Sequence, residues 1–427
     1  MRGTTLLPKL VAALMLVAAI PAAARAGQST DQTETRALAL AGEREAKSAT
    51  ITTPKRTSLE EKLYWYDNQH LLDKVMGGWH GLHLAGGDFP AGAGTKYGVG
   101  YDSLRLADAR SGQAGTDAIR PNRLDVSARA ARSTMGYTRI SASMTARPVP
   151  GSLDITVGAQ KYEFPQEDFF GFGASSVEAN RTDYLLKSTE AGADLRWTPR
   201  RSLAFSAGLW QLRPETADGT DARFPSSGEL FEVASLPGYG VDAEFVRTDV
   251  GVALDLRDNP AHPHAGGRYA VRLASYRPQD SSAFDFRRVE IDLQHYVPIP
   301  NRYRTLAFRA SAVFTDPSSG DEVPFYYLPT LGGAQALRGF REFRFRDRHS
   351  MLVSAEYRWE AWWMLDGAFF VDVGEVASSR REFTLSNVET SYGVGFRLHS
   401  NKAFVSRLDL AFSREGFIPL LRFEHAF

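Results

Sequence analysis

The stretch Met351–Glu360, "MLVSAEYRWE", indicates the fold class, because its apolar and polar residues alternate. One set is apolar or aromatic: Met351, Val353, Ala355, Tyr357 and Trp359. The other set is polar or charged: Ser354, Glu356, Arg358 and Glu360. Successive side chains of a β-strand point to opposite sides of the sheet. The stretch is therefore predicted to be a strand with one dry face and one wet face.

The same two-residue period recurs over most of the chain after residue 78. Clear examples are Val246–Arg257, Phe286–Gln294, Leu306–Phe314 and Thr390–His399. A soluble β-sandwich also alternates, with its dry faces packed on each other. Here, however, the polar faces carry charges of both signs at successive positions, as in the polar lumen of a membrane barrel. The pattern favours an all-β fold, a transmembrane antiparallel β-barrel.

Residues 78–427 are predicted to form this barrel. Their length suits about sixteen strands of roughly ten residues, joined by alternating short and long connections. Either Gly78–Leu84 or Tyr97–Leu106 is expected to be the first strand. The long connections are predicted to lie together at the extracellular edge, near residues 163–180, 214–240 and 315–341.

The first residues have the layout of an exported protein. An apolar run from Leu10 to Ile20 follows the basic residues Arg2 and Lys9, and small residues follow it, so residues 1–26 are predicted to be a cleaved signal peptide. The polar residues 27–77 are predicted to be a periplasmic leader with one short helix at about 58–76. This layout predicts export, and together with the barrel pattern it predicts passage through the periplasm to the outer membrane of a Gram-negative bacterium.

Composition and motifs argue against several classes of function. The 50 Lys and Arg residues balance 50 Asp and Glu residues, which argues against nucleic-acid binding. The chain has no cysteine, which excludes disulfides and thiolate metal sites. The pairs His80/His83 and His262/His264 lack a clustered third ligand, so no metal site is predicted. The sequence contains neither a nucleophile elbow nor a phosphate-binding glycine motif, so we expect no enzyme and no cofactor.

One loop departs from the alternating pattern. Leu331–Asp347, "LGGAQALRGFREFRFRD", combines two adjacent glycines, an Arg-Gly-Phe triplet and four arginines. With "SAEYRWE" at 354–360, "FVDVG" at 370–374 and the turn "DLRDNPAHPHAGGRYAV" that begins at Asp255, it resembles the bacterial surface antigen superfamily of outer-membrane β-barrels, the BamA/TamA-like proteins. The resemblance is strongest from Val241 to Phe427.

The resemblance implies a sixteen-stranded barrel whose loop 315–341 folds into the lumen, where its arginine binds acidic residues of the wall. Arg338 is that arginine, and the alternation places Glu356 and Asp372 on the lumen face. A guanidinium and a carboxylate form two parallel hydrogen bonds, so we expect Arg338 to latch the loop. The predicted latch comprises Arg338, Gly339, Phe340, Glu356 and Asp372, with motif support from Gly332, Gly333, Phe370 and Gly374.

Two further expectations concern other residues of these motifs. Phe423 and Phe427 are the C-terminal strand signal that is typical of outer-membrane barrels. Arg341, Arg344 and Arg346 have no partner that the sequence indicates, so we expect them to be solvated.

The resemblance also implies a function, because members of this superfamily insert or translocate polypeptides, or move lipid, at the outer membrane. The expected partners are outer-membrane lipid and lipopolysaccharide, together with client outer-membrane or secreted polypeptides. The alternative is a passive pore or structural barrel without insertase activity, and an enzyme is a third possibility. Residues 27–77 are too few for a periplasmic POTRA module, so we expect a POTRA-less member.

Overall fold

The computed structural model describes residues 81–86, 89–90, 92–103, 124–280, 283–299, 304–362, 365–384, 386–399 and 404–422. The predicted signal peptide, the leader with its helix, Phe423 and Phe427 lie outside the described residues, and stay predictions. Within these ranges, no helix is long and apolar enough to cross a membrane.

The described residues form mainly β-strands. In chain order the strands are β1 (Leu82–Leu84), β2 (Lys96–Asp102), β3 (Leu124–Ser133), β4 (Thr138–Val149), β5 (Leu153–Phe169), β6 (Thr182–Arg200), β7 (Leu203–Asp218), β8 (Phe245–Asp255), β9 (Gly266–Pro278), β10 (Phe286–Pro298), β11 (Arg304–Pro317), β12 (Thr330–Leu331), β13 (Phe345–Arg346), β14 (His349–Trp362), β15 (Leu365–Ala377), β16 (Glu389–His399), β17 (Phe404–Ser413) and β18 (Gly416–Arg422). Short helical turns lie in the connections, at Glu178–Asn180, Ser227–Leu230, Val233–Ser235 and Phe325–Tyr327.

Sixteen of these strands form one sheet, in the order β1 to β11 followed by β14 to β18. Each strand pairs antiparallel with the next one in this order, which is the up-and-down arrangement of a β-barrel. The predicted all-β fold of sixteen strands is therefore confirmed. Both candidates for the first strand form, as β1 and β2. The other two strands, β12 and β13, pair with each other in a separate ribbon.

The two faces of the sheet differ in chemistry as the alternation predicts. In β15, Phe369 and Val371 are 55% and 45% exposed, whereas Phe370 and Asp372 between and beside them are buried. We call the face that carries Asp372, and Glu356 on β14, the inner face. The opposite, outer face presents apolar side chains, as the lipid-facing side of a membrane barrel does.

Three long connections lie at the same edge of the sheet. Short turns such as 150–152 and 201–202 lie at one edge. These long connections lie at the other edge, at residues 170–181, 219–244 and 318–348, together with the short turns 134–137 and 414–415. The connection between β11 and β14, which we call the long loop, thus ends at residue 348 and not at 341. The difference arises because β13 pairs back onto β12 before β14 begins.

Much of the apolar core lies between the long connections and the inner face. In one cluster, Phe340 and Phe345 of the long loop pack with Leu352 of β14 and Val376 of β15. A second cluster joins buried side chains from two strands and two connections: Phe169, Tyr184, Leu236, Tyr239 and Phe325. Full burial of one large apolar side chain contributes about 1.5–3 kcal/mol. These two clusters therefore hold the long loop against the sheet.

Candidate functional site

The long loop places Arg338 on the inner face, where its side chain is only 2% exposed. Its Nε and Nη2 donate hydrogen bonds to the two carboxylate oxygens of Asp372, at 2.8 and 2.6 Å. Its Nη1 donates to Oε1 of Glu356. Its Cζ lies 3.6 Å from the centre of the Phe370 ring, a cation–π contact. The structure thus brings the arginine, both carboxylates and the phenylalanine of the predicted site together.

Strand pairing explains why two carboxylates meet one guanidinium. Ser354 of β14 lies opposite Asp372 of β15, and Glu356 lies opposite Phe370. Glu356 and Asp372 are therefore diagonal neighbours on one face, a separation that a long side chain can bridge. A shift of either strand by one residue would turn its carboxylate to the outer face. The register of β14 and β15 is thus part of the site.

Arg338 stays charged in this buried setting. Burial acts to lower the pKa of Arg338, but the carboxylates of Asp372 and Glu356 outweigh it and raise that pKa above its ordinary value. Removing one partner of a buried pair typically costs about 3–5 kcal/mol, since the other charge stays buried. The contact can therefore hold the loop in one position.

Gly339 and Phe340 follow Arg338 and fit the same surface. A Cβ on Gly339 would lie 2.6 Å from the backbone oxygen of Phe412 and 2.8 Å from Cβ of Ser391, so the close approach requires glycine. Phe340 is fully buried, and its ring centre lies 5.1 Å from that of Phe345. These two residues seat the tip of the loop beside the Arg338 contact.

The supporting glycines lie where the long loop turns or meets the sheet. Gly332 and Gly333 have φ values of 116° and 87°, a region that favours glycine. A Cβ on Gly374 would lie 2.9 Å from Cδ1 of Leu331, so glycine leaves room for the start of the loop. These three glycines therefore determine the backbone path of the loop, and they affect the ion pairs only through that path.

The ion pairs extend to residues that the sequence reasoning did not assign. Arg358 and Arg397 donate to Glu356 at 2.7 and 3.0 Å. Arg397 also donates to Asp409 at 2.6 Å, and Nε of Arg407 lies 3.3 Å from Asp409. Alternation places these side chains on the inner face, but nothing in the sequence indicates which inner-face charges lie near the loop.

Together these residues form what we call the ion cluster: Arg338, Arg358, Arg397, Arg407, Glu356, Asp372 and Asp409. Each of its side chains is buried. Four arginines and three carboxylates give a formal charge of +1, and without Arg338 of the loop three arginines balance three carboxylates. The six members of the ion cluster that belong to strands are thus formally neutral together, and Arg338 of the loop gives the cluster its net charge of +1.

Arg344 contradicts the expectation that the other arginines of the loop are solvated. Its side chain is fully buried, and its Nε donates to Oε1 of Glu415 at 2.9 Å. Its Nη1 and Nη2 donate to Oγ and the backbone oxygen of Ser176, at 2.8 and 2.7 Å. The expectation was wrong because both partners lie far away in sequence, in the turn between β17 and β18 and in the connection between β5 and β6.

Arg346 also contradicts that expectation, whereas Arg341 agrees with it. Arg346 is 2% exposed, and its Nη1 donates to the backbone oxygen of Phe325 at 2.9 Å and to the hydroxyl of Tyr184 at 3.2 Å. Arg341 is about half exposed and forms an ion pair with Glu178 at 3.2 Å. The long loop is therefore anchored by three buried arginines and not by Arg338 alone.

The two histidines of the turn between β8 and β9 contact β15 and β11, which are not adjacent to that turn in the sheet. Nε2 of His262 lies 2.6 Å from Oδ2 of Asp366, and Nδ1 of His264 lies 3.1 Å from Oγ1 of Thr305. Over the part of the chain that the structure describes, no group of three or more His, Cys, Asp or Glu side chains could hold a metal ion. His80 lies outside that part.

Known proteins resemble the chain in sequence and in structure. The model of the Omp85 superfamily domain matches residues 124–416. The structure resembles that of BamA from Haemophilus ducreyi lacking POTRA domains 1-3, with 14% identity and a TM-score of 0.56 over 78% of this chain and 69% of that one. It also aligns with CdiB from Acinetobacter baumannii (12% identity, TM-score 0.46) and CdiB from Escherichia coli (13%, 0.49), over 79% and 80% of this chain. No curated protein matches the sequence significantly.

These comparisons differ in what they establish. At 14% identity, the likeness to BamA establishes a shared barrel fold. The chain spans 57% and 60% of the two CdiB chains. The domain match covers more than half of the chain and contains the long loop with its wall partners. The predicted resemblance to the bacterial surface antigen barrels is thereby confirmed, and the chain belongs to the Omp85 superfamily.

Proposed function

We propose that this protein is an outer-membrane barrel that assists the insertion or translocation of polypeptides, without a covalent catalytic step. The observation that carries the proposal is the docked long loop, with Arg338 held by Asp372 and Glu356 inside an Omp85 domain. We infer that the loop also has a released position, and that the change between the docked and released positions accompanies the handling of client polypeptides. In a structural pore the same contacts would serve stability alone.

The outer face supports a membrane location for the barrel. Large apolar side chains are exposed along successive strands, among them Leu209, Val250, Leu273, Phe369 and Tyr392. Such a surface is costly in water and suits the acyl chains of a bilayer. We infer that outer-membrane lipid and lipopolysaccharide contact this face, and that client outer-membrane or secreted polypeptides are the other partners.

The packing around the long loop supports assisted insertion over passive conduction. Phe325 is fully buried, and its ring lies within 6.0 Å of those of Phe169, Tyr184 and Tyr239. Arg346 fills the space beside this ring cluster. Large buried side chains thus occupy space on the inner face that a wide aqueous pore would need to keep open. We therefore expect little ion conductance from the docked state.

The test is reconstitution of the purified protein in liposomes. The rate at which an unfolded client barrel acquires protease resistance is measured beside the ion conductance of the same vesicles. We expect faster client folding than in liposomes without protein, together with low conductance. Steady conductance without any gain in client folding would contradict the proposal and favour the passive pore.

A further inference from the structure

The last two described strands, β17 and β18, contact the long loop along their length. Oγ of Ser413 donates to the backbone oxygen of Gly339 at 2.6 Å, and Nη2 of Arg407 donates to that of Ala334 at 2.8 Å. Both acceptors belong to the loop and both donors belong to β17. The turn after β17 adds the Arg344–Glu415 pair.

β18 is joined to the loop by an ion pair. Nη2 of Arg422 lies 3.1 Å from Oε2 of Glu342, and the two side chains are 17% and 25% exposed. Arg422 is 80 residues from Glu342 in sequence, so the contact forms only when the loop is docked. The hairpin β17–β18, which we call the terminal hairpin, is thus bound to the loop from both strands and from its turn.

Strand register shows why the terminal hairpin needs this contact. Arg397 of β16 lies opposite Arg407 of β17, and Arg407 lies opposite Arg422 of β18. Three arginines therefore form one row across neighbouring strands. Like charges directly opposite each other destabilise an antiparallel pair. A sheet that holds such a row needs carboxylates from elsewhere to offset the repulsion.

The ion cluster supplies carboxylates to one end of the arginine row and the loop supplies one to the other. Asp409 contacts Arg397 and Arg407, and Glu356 contacts Arg397. Glu342 of the loop contacts Arg422. Release of the loop removes Glu342 from Arg422 and the Ala334 carbonyl from Arg407. Arg407 then keeps Asp409, whereas Arg422 loses its carboxylate partner in the loop and stays opposite Arg407.

We propose that Glu342 is a positioning residue that couples docking of the long loop to order in the terminal hairpin. While the loop is docked, Glu342 neutralises Arg422 and β18 stays paired with β17. When the loop is released, repulsion between Arg407 and Arg422 loosens β18. The use of this coupling in client handling rests on the proposed function, but the coupling itself is a property of the fold.

The test measures hydrogen–deuterium exchange of the full chain in liposomes. For Glu342→Gln we expect amides of β18 to exchange roughly three- to tenfold faster, as for the loss of a partly buried ion pair, with β14 and β15 unchanged. The charge exchange Glu342→Arg with Arg422→Glu is expected to restore slow exchange. Glu178→Gln, which removes the exposed partner of Arg341, is the matched control and is expected to leave β18 unchanged.

Several outcomes would overturn the coupling. One is that β18 amides of Glu342→Gln exchange at the wild-type rate. A second is that the double variant with swapped charges does not regain slow amide exchange in β18. A third is that the amides of all strands exchange faster by the same factor. Client folding is measured on the same variants. Faster exchange of β18 in a protein that assists no client would support the coupling and contradict the proposed function, so the two failures are distinguishable.

Discussion

Arg338 and Asp372 form a two-bonded fork, in which Nε and Nη2 of the arginine donate to separate carboxylate oxygens at 2.8 and 2.6 Å. The backbone N–H of Arg338 also donates to Oδ2 of Asp372, at 3.3 Å. A single wall residue thus fixes both the side chain and the backbone of the loop tip. This geometry requires a planar guanidinium, because an ammonium group cannot donate two parallel bonds to one carboxylate.

The first prediction concerns the chemistry of residue 338. Arg338→Ala leaves Asp372 buried without its cation, whereas Glu356 keeps Arg358 and Arg397. We therefore expect a loss of about 3–5 kcal/mol in the free energy of loop docking. Arg338→Lys keeps the charge and loses the fork, so a smaller loss is expected. The measurement is the rate of protease cleavage within the long loop, with the protein reconstituted in liposomes.

Arg341→Ala is the control for both changes at position 338, since Arg341 belongs to the same loop and is half exposed. The expected order of cleavage rates is Arg338→Ala fastest, then Arg338→Lys, then Arg341→Ala close to the wild type. Equal rates for Arg338→Ala and Arg341→Ala would show that the fork does not hold the loop.

The second prediction concerns the buried guanidinium of Arg344. Arg344→Ala removes hydrogen bonds to Glu415 and Ser176 and leaves their acceptors buried, for an expected loss of about 1–3 kcal/mol. Arg414→Ala removes a neighbouring, half-exposed arginine that pairs with Glu389, and is expected to cost at most about 1 kcal/mol. Urea unfolding in detergent micelles compares the two. A larger loss for Arg414→Ala than for Arg344→Ala would contradict the assignment of Arg344 as an anchor.

The third prediction concerns the close approach at Gly339. In Gly339→Ala the new methyl group would lie 2.6 Å from the backbone oxygen of Phe412. Overpacking of this kind costs typically about 1–3 kcal/mol, so we expect the loop tip to shift and Arg338 to lose part of its fork. Gly86→Ala is the matched control, because a Cβ there meets no atom within 4 Å. Thermal unfolding of the two variants should differ, and identical midpoints would refute the packing argument.

The fourth prediction concerns pH and the turn between β8 and β9. Oδ1 of Asp258 accepts backbone hydrogen bonds from Asn259, His264 and Ala265, at 2.9, 3.0 and 3.1 Å. Burial acts to raise the pKa of Asp258, but these N–H groups lower it below the ordinary value for aspartate. A lowered carboxyl pKa contributes stability that is present above the unfolded value, about 3.9, and is lost as pH falls through the folded value.

Amide proton shifts of His264 and Ala265 in micelles report this titration directly. We expect their midpoint to lie below that of aspartate in an unfolded peptide of the same sequence. Asp258→Asn keeps an acceptor oxygen and removes the charge, so it is expected to abolish the acid titration of both amides. A midpoint at or above the peptide value would contradict the role of Asp258 in the turn.

Strand periodicity predicts much of this structure because every strand must bury one face and expose the other. The placement of Glu356 and Asp372 on one face follows from the two-residue alternation of the strands alone, because Phe369 and Val371 must point to the opposite face. This alternation shows which face a residue occupies, but it does not show how far apart residues of different strands lie. It therefore could not identify Arg397 and Asp409, one and two strands beyond β15, as members of the same ion cluster.

The interior of a long loop has no such period. Arg344 and Arg346 resemble the half-exposed Arg341 in their sequence context, but they are buried by partners such as Ser176 and Tyr184 that only the folded chain brings near. The Glu342–Arg422 pair was missed for the same reason. Sequence patterns specify which face a strand residue occupies, whereas loop contacts depend on where distant connections meet.

The most direct test of the account is a double-mutant cycle between Arg338 and Asp372, with the free energy of unfolding measured for the wild type, Arg338→Ala, Asp372→Ala and the double variant. Coupling between groups in contact amounts to about 0.5–3 kcal/mol, and the buried fork predicts a value near the upper end of that range. The free energy of unfolding of the double variant should then be only slightly lower than that of the less stable single variant. Losses that add to within about 0.5 kcal/mol would mean that Arg338 and Asp372 do not hold the long loop together.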